Sequence, residues 1–293
     1  MASRVMPAAT AATETPFFLR SVYLKSLRDH RHGLIGWSIS VGLLVLTESL
    51  IWPSFKDMPD IEKLFEQYPE YMQRLFDVTS MTSGLGFINA ELFTLLLPAL
   101  FLVYAIGRGA RLVAGEEEEG TLDVLLVTPL SSSRILLEKA LALVTTVLAL
   151  GVALYAVTLG CSVALGLGIG PGDTFSGCLA MVLLGSEFGL VALGVGAATG
   201  RKSLAVAIPA ALAVATYVLY VAGLLVASVD PWQHLSPLEQ ALASGPLGGG
   251  LPLDFVWLAL GCVLVTARDP AHPGPPRHRG TWLTDNTQPT MRR

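Results

Sequence analysis

The sequence predicts an all-α protein that crosses a membrane six times, and three observations carry that expectation. Hydrophobic residues make up 52% of the 293 residues and charged residues only 14%, whereas soluble domains carry about 25% charged residues. The apolar residues also gather into runs, at 33–52, 86–107, 137–167, 176–199, 203–229 and 251–267, and roughly 20 such residues cross the hydrocarbon layer as a helix. The basic residues then fall almost entirely between alternate runs. Of the 19 Lys and Arg, only Lys56, Lys63 and Arg74 lie on the side holding 53–85. An excess of Lys and Arg marks the cytoplasmic side, so both termini and the connection between spans two and three are expected there.

Residues 1–16 are rich in Ala and Thr and are expected to be disordered; Glu14 and Pro16 interrupt any cleavable signal. Residues 17–31 have the pattern of an amphipathic helix. Phe18, Leu19, Val22, Tyr23 and Leu27 form one side, and Arg20, Ser21, Lys25 and Arg28 the other. Two readings are open: an interfacial helix, or a positively charged flank that sets topology. After span one, 53–85 is the only sizeable loop on the far side. Within it Pro69 divides two short amphipathic helices, which either cap the outer mouth or rest on lipid.

The most unusual segment follows span two. Glu116, Glu117, Glu118 and Glu119 extend into water, and Gly120 interrupts them. Thr121 can cap a new helix in which Leu122, Leu125 and Leu126 share one face. Pro129 ends it by lacking a donor and restricting the residue before it. A short helix lying across the cytoplasmic surface is therefore predicted between spans two and three. The plainer alternative is a solvated charge run followed by an interfacial turn. Consecutive helical acids cannot converge on a calcium ion as alternate loop positions do.

Later spans hold glycines at four-residue spacing, Gly166/Gly170, Gly185/Gly189 and Gly196/Gly200, which allows close helix approach. Cys161, Cys178 and Cys262 lie in or beside apolar runs without metal-ligand spacing and read as small hydrophobes. Among the carboxylates inside spans, three stand out. Glu48 and Glu91 sit near span ends, while Glu187 is near the middle of span four, where a charge costs about 2.5–3.5 kcal/mol or more. Glu187 is accordingly either a pathway group or a structural hydrogen-bonding group. The tail, 269–293, is rich in Pro, His and Arg and is expected to be disordered.

Catalytic patterns are missing. No GxxxxGK[ST] for ATP and no HExxH for zinc occurs, and no cofactor is implied. Lys and Arg do not interleave with aromatics as a nucleic-acid surface requires.

Residues 115–139, GEEEEGTLDVLLVTPLSSSRILLEK, resemble the signature that follows the second span in ABC-2-type transporter permeases. The likeness extends to Ile51, Trp52, Pro53 and Ser54; to Lys56, Asp57, Met58 and Pro59; to 86–93 (GFINAELF); to Thr199, Gly200 and Arg201; and to Leu235, Ser236 and Pro237. It covers most of 17–268, the expected transmembrane domain. Such a permease has no ATPase site of its own. The resemblance implies two copies of an ATP-binding subunit, a second permease copy (identical or related), and export of an unidentified substrate across the cell membrane. It also implies that Glu116, Glu117, Glu118, Glu119, Gly120, Thr121, Leu122, Leu125, Leu126 and Pro129 form the coupling element on the ATPase, and that 17–31 is the interfacial connecting helix. The competing expectation is an ion-coupled secondary transporter working through Glu187. It predicts an inverted repeat with paired broken helices, and no clear repeat is visible.

Overall fold

The computed structural model describes residues 22–56, 83–115, 118, 132–226, 228–243, 245–250 and 252–267, and every regular element among them is a helix. Helix α1 is Val22–Lys56, α2 is Gly84–Gly115, α3 is Ser132–Leu165, α4 is Pro171–Thr199 and α5 is Lys202–Leu225. Two short helices, α6 (Asp230–Gln233) and α7 (Pro237–Leu242), lead to α8 (Asp254–Ala267). Helices α1 to α5 are long and apolar enough to cross a membrane. Helix α8, within the sixth predicted run, has 14 residues and is about 21 Å long.

The bundle is built around α4. It packs against α2, α3, α5, α7 and α8, and α1 lies on the far side of α3. In the most apolar stretch of α4, 67% of residues are buried, against 17% in α1 and in α5. The chain therefore has one central helix and two peripheral ones. Composition explains the centre: Gly185 lies against Phe101 and Val147, and Gly189 against Ala105 and Leu143. Both glycines thus do what their spacing predicted, bringing α4 against α2 and α3. The other two pairs behave differently. Gly196 packs beside Ala114 and Ala205, but Gly200 is the left-handed residue (φ 62°) that ends α4, and Gly166 (φ 65°) turns the chain after α3.

Two features depart from the expected outline. Residues 22–31 do not form a helix separate from span one, because α1 is continuous for 35 residues. Neither Gly33 nor Gly36 breaks it. No proline intervenes, and a single helical glycine costs only about 1 kcal/mol. Helix α2, in turn, is not α-helical throughout: Asn89–Leu96 and Arg111–Gly115 are π-helical. Pro98 supplies a reason for the first, since it has no N–H for the carbonyl four residues earlier. Leu97 N–H reaches back to Leu92 O in the wider pattern.

One end of the bundle carries the joint between α5 and α8. Asn89 Oδ1 accepts from Leu247 N at 3.1 Å, Ser176 Oγ donates to Pro246 O at 3.0 Å, and Ser236 Oγ donates to Thr216 O at 2.9 Å. Trp52 meets Phe87 there, ring centroids 5.5 Å apart. The predicted disordered termini, the helices expected within 57–82 and most of the predicted coupling helix lie outside the described residues.

Candidate coupling site

The opposite end gathers the start of α1, the end of α2, the start of α3 and the α4–α5 turn. Its foundation is a knot of small side chains. Ala110 and Ala114 on α2, Gly196 on α4 and Ala205 on α5 meet, with Val195 alongside and all three alanines fully buried. An ideal Cβ on Gly196 would lie 3.4 Å from that of Ala114 and 3.5 Å from that of Ala205. Three helices converge here because each offers only a methyl group or less.

Polar contacts surround the knot. Lys139, on the first turns of α3, is fully buried, and its Nζ donates to Leu112 O in the π-helical end of α2. Glu138 beside it points the other way. Its Oε2 accepts from Tyr23 N at 3.2 Å in the first turn of α1, and Arg134 lies 3.3 Å from its Oε1. Tyr23 Oη and Thr145 Oγ1 are 3.1 Å apart. Finally Glu118 Oε1 accepts from Lys202 N, the first residue of α5, at 3.0 Å. First-turn amides have no partner within their own helix, and a carboxylate there also faces the positive end of the helix dipole.

Of the ten residues predicted to form the coupling element, Glu118 is described; Glu116, Glu117, Glu119, Gly120, Thr121, Leu122, Leu125, Leu126 and Pro129 lie outside the described residues. Glu187 lies elsewhere, in the middle of α4 against α8. Its carboxyl packs over Gly261, whose absent Cβ makes the room: an ideal Cβ would stand 2.7 Å from Glu187 Cδ. Oε2 of Glu187 is buried without a hydrogen-bond partner among the described residues. Next to it, Cys262 Sγ donates to Leu183 O at 3.7 Å. No group of His, Cys, Asp and Glu suited to a metal occurs among the described residues.

Sequence reasoning missed the roles of Lys139 and Glu138. A signal for Lys139 was present: it follows Ile135 by four residues and precedes Leu143 by four, so it falls on the buried stripe of α3. The role of Asn89 had no comparable signal, because its partner lies 158 residues away.

At the other end, Glu239 on α7 is buried, and burial raises its carboxyl pKa above the usual 4.5, with His234 Nδ1, 3.1 Å from Oε1, acting in the opposite direction. A raised folded-state value favours the protonated form. Its contribution to stability is present below about pH 4.5 and is lost as pH rises through the folded-state value. Glu239→Gln keeps the shape and removes the titration. The variant is therefore expected to lose less thermal stability than wild type between pH 4 and pH 7, measured by melting the purified protein; parallel curves would refute this.

Five long apolar helices packed about a glycine-faced centre, with polar joints at the two ends, define a multi-spanning membrane protein. A family model described as ABC-2 family transporter protein matches residues 20–242. The chain belongs to that family, and it is a membrane permease of an ABC transporter. No curated protein matches it.

Proposed function

We propose that this permease forms the pathway for ATP-driven export, with ATP hydrolysed by two copies of a separate subunit and with a second permease copy, identical or related, as its partner. In this reading 17–268 is the transmembrane domain, with spans α1 to α5 and α8, flanked by segments 1–16 and 269–293. Both termini and the Glu118 end face the cytoplasm of a cell bounded by the membrane that α1 to α5 cross. Lys and Arg support that orientation: Arg108, Arg111, Arg134, Arg201 and Lys202 all lie near the Glu118 end.

The observation that carries the proposal is the joint beneath the acidic run, where α2, α3, α4 and α5 meet around Ala114 and Lys139. A subunit that grips residues 116–129 would pull on four spans through that joint. Leu122, Leu125 and Leu126 supply an apolar contact and Thr121, Gly120 and Pro129 define the helix that presents them. Glu116, Glu117 and Glu119 meet basic residues on the ATPase rim. Glu187, packed beneath α8, is the candidate pathway group, exposed to substrate if α8 moves away.

Reversing the charge at Glu117 and Glu119 together is expected to weaken association with the ATPase by about tenfold, or about 1.4 kcal/mol, with the thermal stability of the permease unchanged. Copurification at increasing salt measures it. Undiminished copurification together with undiminished transport would sink the assignment.

A further inference from the structure

The geometry points to a binding site for the headgroup of an anionic phospholipid in the seam between α1 and α2, at the Glu118 end, with Arg108 and Arg111 as its cations. Arg108 is already fixed from two sides. Its guanidinium lies over the Tyr104 ring, 5.8 Å from the centroid, and its Nη2 is 3.5 Å from His30 O on α1. A guanidinium carries five N–H donors, and the contact with His30 O uses one. Tyr104 in turn meets Trp37 of α1 edge to face, with ring centroids 5.6 Å apart. Trp37, Tyr104 and Arg108 thus form a ladder across the seam, from apolar ring to cation. Arg111 follows Arg108 by three residues on the same side of α2. It is exposed and has no hydrogen-bond or ion-pair partner among the described residues.

Depth and charge decide the occupant. At 1.5 Å per residue, Arg108 stands about 36 Å along α2 from Gly84, just beyond the roughly 30 Å of hydrocarbon. That is the level of lipid phosphates, and Trp and Tyr rings favour the same level. The backbone there is open to close approach: a Cβ at Gly33 or Gly36 of α1, or at Gly107 of α2, would meet nothing within 4 Å. The first turns of α1 add Lys25, Arg28 and Arg31 against the single acid Asp29. Glu118, the described acid that follows α2, is held by Lys202 N at the start of α5. Two guanidinium groups suit a phosphodiester, which accepts paired N–H donors. They repel the ammonium of a zwitterionic lipid, so a headgroup with net negative charge is preferred. Basic pockets between spanning helices hold acidic headgroups in this way on the cytoplasmic side, and the orientation proposed above makes this the cytoplasmic lipid layer.

The purified full-length chain tests the site without any ATPase. It is melted in neutral detergent while phosphatidylglycerol or phosphatidylcholine is titrated in, since a ligand of the folded state raises the melting temperature. Phosphatidylglycerol is expected to raise it to a plateau and phosphatidylcholine to leave it unchanged. Arg108→Gln and Arg111→Gln are each expected to need about fivefold more phosphatidylglycerol for half the rise, the effect of one basic residue beside an anionic surface. Arg201→Gln, in the α4–α5 turn at the same end, is expected to need the wild-type amount. Trp37 reports position: phosphatidylglycerol brominated near its glycerol end should quench a component of the fluorescence that Trp37→Phe lacks, and less of it in Arg111→Gln. Arg108→Gln gives up the contacts with Tyr104 and His30, so Arg111→Gln decides the matter if Arg108→Gln fails to fold. Equal half-points in wild type and Arg111→Gln overturn the site. A loss in Arg201→Gln as large as in Arg111→Gln also overturns it, by reducing it to diffuse positive charge. An equal rise with glycerol phosphate in place of lipid overturns a phospholipid as the occupant. Absence of a copurifying ATPase would end the export proposal and leave these measurements unaffected.

Discussion

Gly109→Ala is expected to lower the stability of the bundle by about 1–3 kcal/mol or more, the range for extra carbon in a well-packed core. The residue sits late in α2 where that helix crosses α4. A Cβ there would be driven into Gly189 O, with Gly189 C at 3.1 Å and the Ala192 Cβ at 3.0 Å. Backbone opposes backbone, so no side chain can rotate away, and the cost is met only by separating the two helices. Separation would in turn loosen Gly185 and Gly189 from Phe101 and Ala105. The opposing effect is the better helix propensity of alanine, worth about 1 kcal/mol, which is too small to win here. Gly107→Ala supplies the control. A Cβ at Gly107 meets nothing within 4 Å, so that variant is expected to melt at or slightly above the wild-type temperature. Equal melting temperatures for the two variants in detergent, followed by loss of the monodisperse peak, would show that α2 and α4 do not cross as described.

That crossing also shows how far the sequence is legible. Apolar runs locate all of α1 to α5, because crossing a membrane requires length and low polarity, and both are local properties; they miss that α1 begins at Val22 rather than 33 and that α2 continues to Gly115 rather than 107. The spacing of Gly185 and Gly189 announces a close approach, but not which helix approaches: Ala105 and Gly109 of α2 are some 80 positions earlier. The same spacing at Gly196 and Gly200 has a different cause, since Gly200 is a left-handed terminus and needs no neighbour. Spacing alone cannot separate packing from termination. The extension of α1 through 22–31 was obscured by its charges, which suggested a change of environment; the backbone hydrogen bonds of a helix do not register that change. The π-helical turns were likewise hidden, although Pro98 marks the first one. At the coupling end, four consecutive acids drew attention to the segment, but the partner of Glu118 is an amide of Lys202, 84 residues away. A backbone donor leaves no trace in the sequence around it.

Lys139 gives the second large effect, and its sign requires an argument. Its ammonium is fully buried and donates to Leu112 O at the π-helical end of α2. Replacing a buried ion by an apolar group of similar volume can be neutral or stabilising when its partners are removed with it. Here one partner is a main-chain carbonyl, which no side-chain substitution removes. It lies at the π-helical end of α2, among the buried residues Ala110, Leu112 and Ala114. Lys139→Met keeps the unbranched stem and deletes the donor, so it removes that carbonyl's contact with the ammonium, a loss of about 1–3 kcal/mol. The loss is expected as a lower melting temperature and as faster amide exchange in residues 111–115, with residues 84–96 at the other end of α2 unaffected. Because the same turn leads directly into the acidic run, Lys139→Met is also expected to reduce transport by the reconstituted complex more than its stability alone would, when both are measured well below the melting temperature. A variant that melts and transports as wild type does would mean that the start of α3 does not hold the end of α2, and that the four-helix joint relies on the alanine and glycine contacts alone.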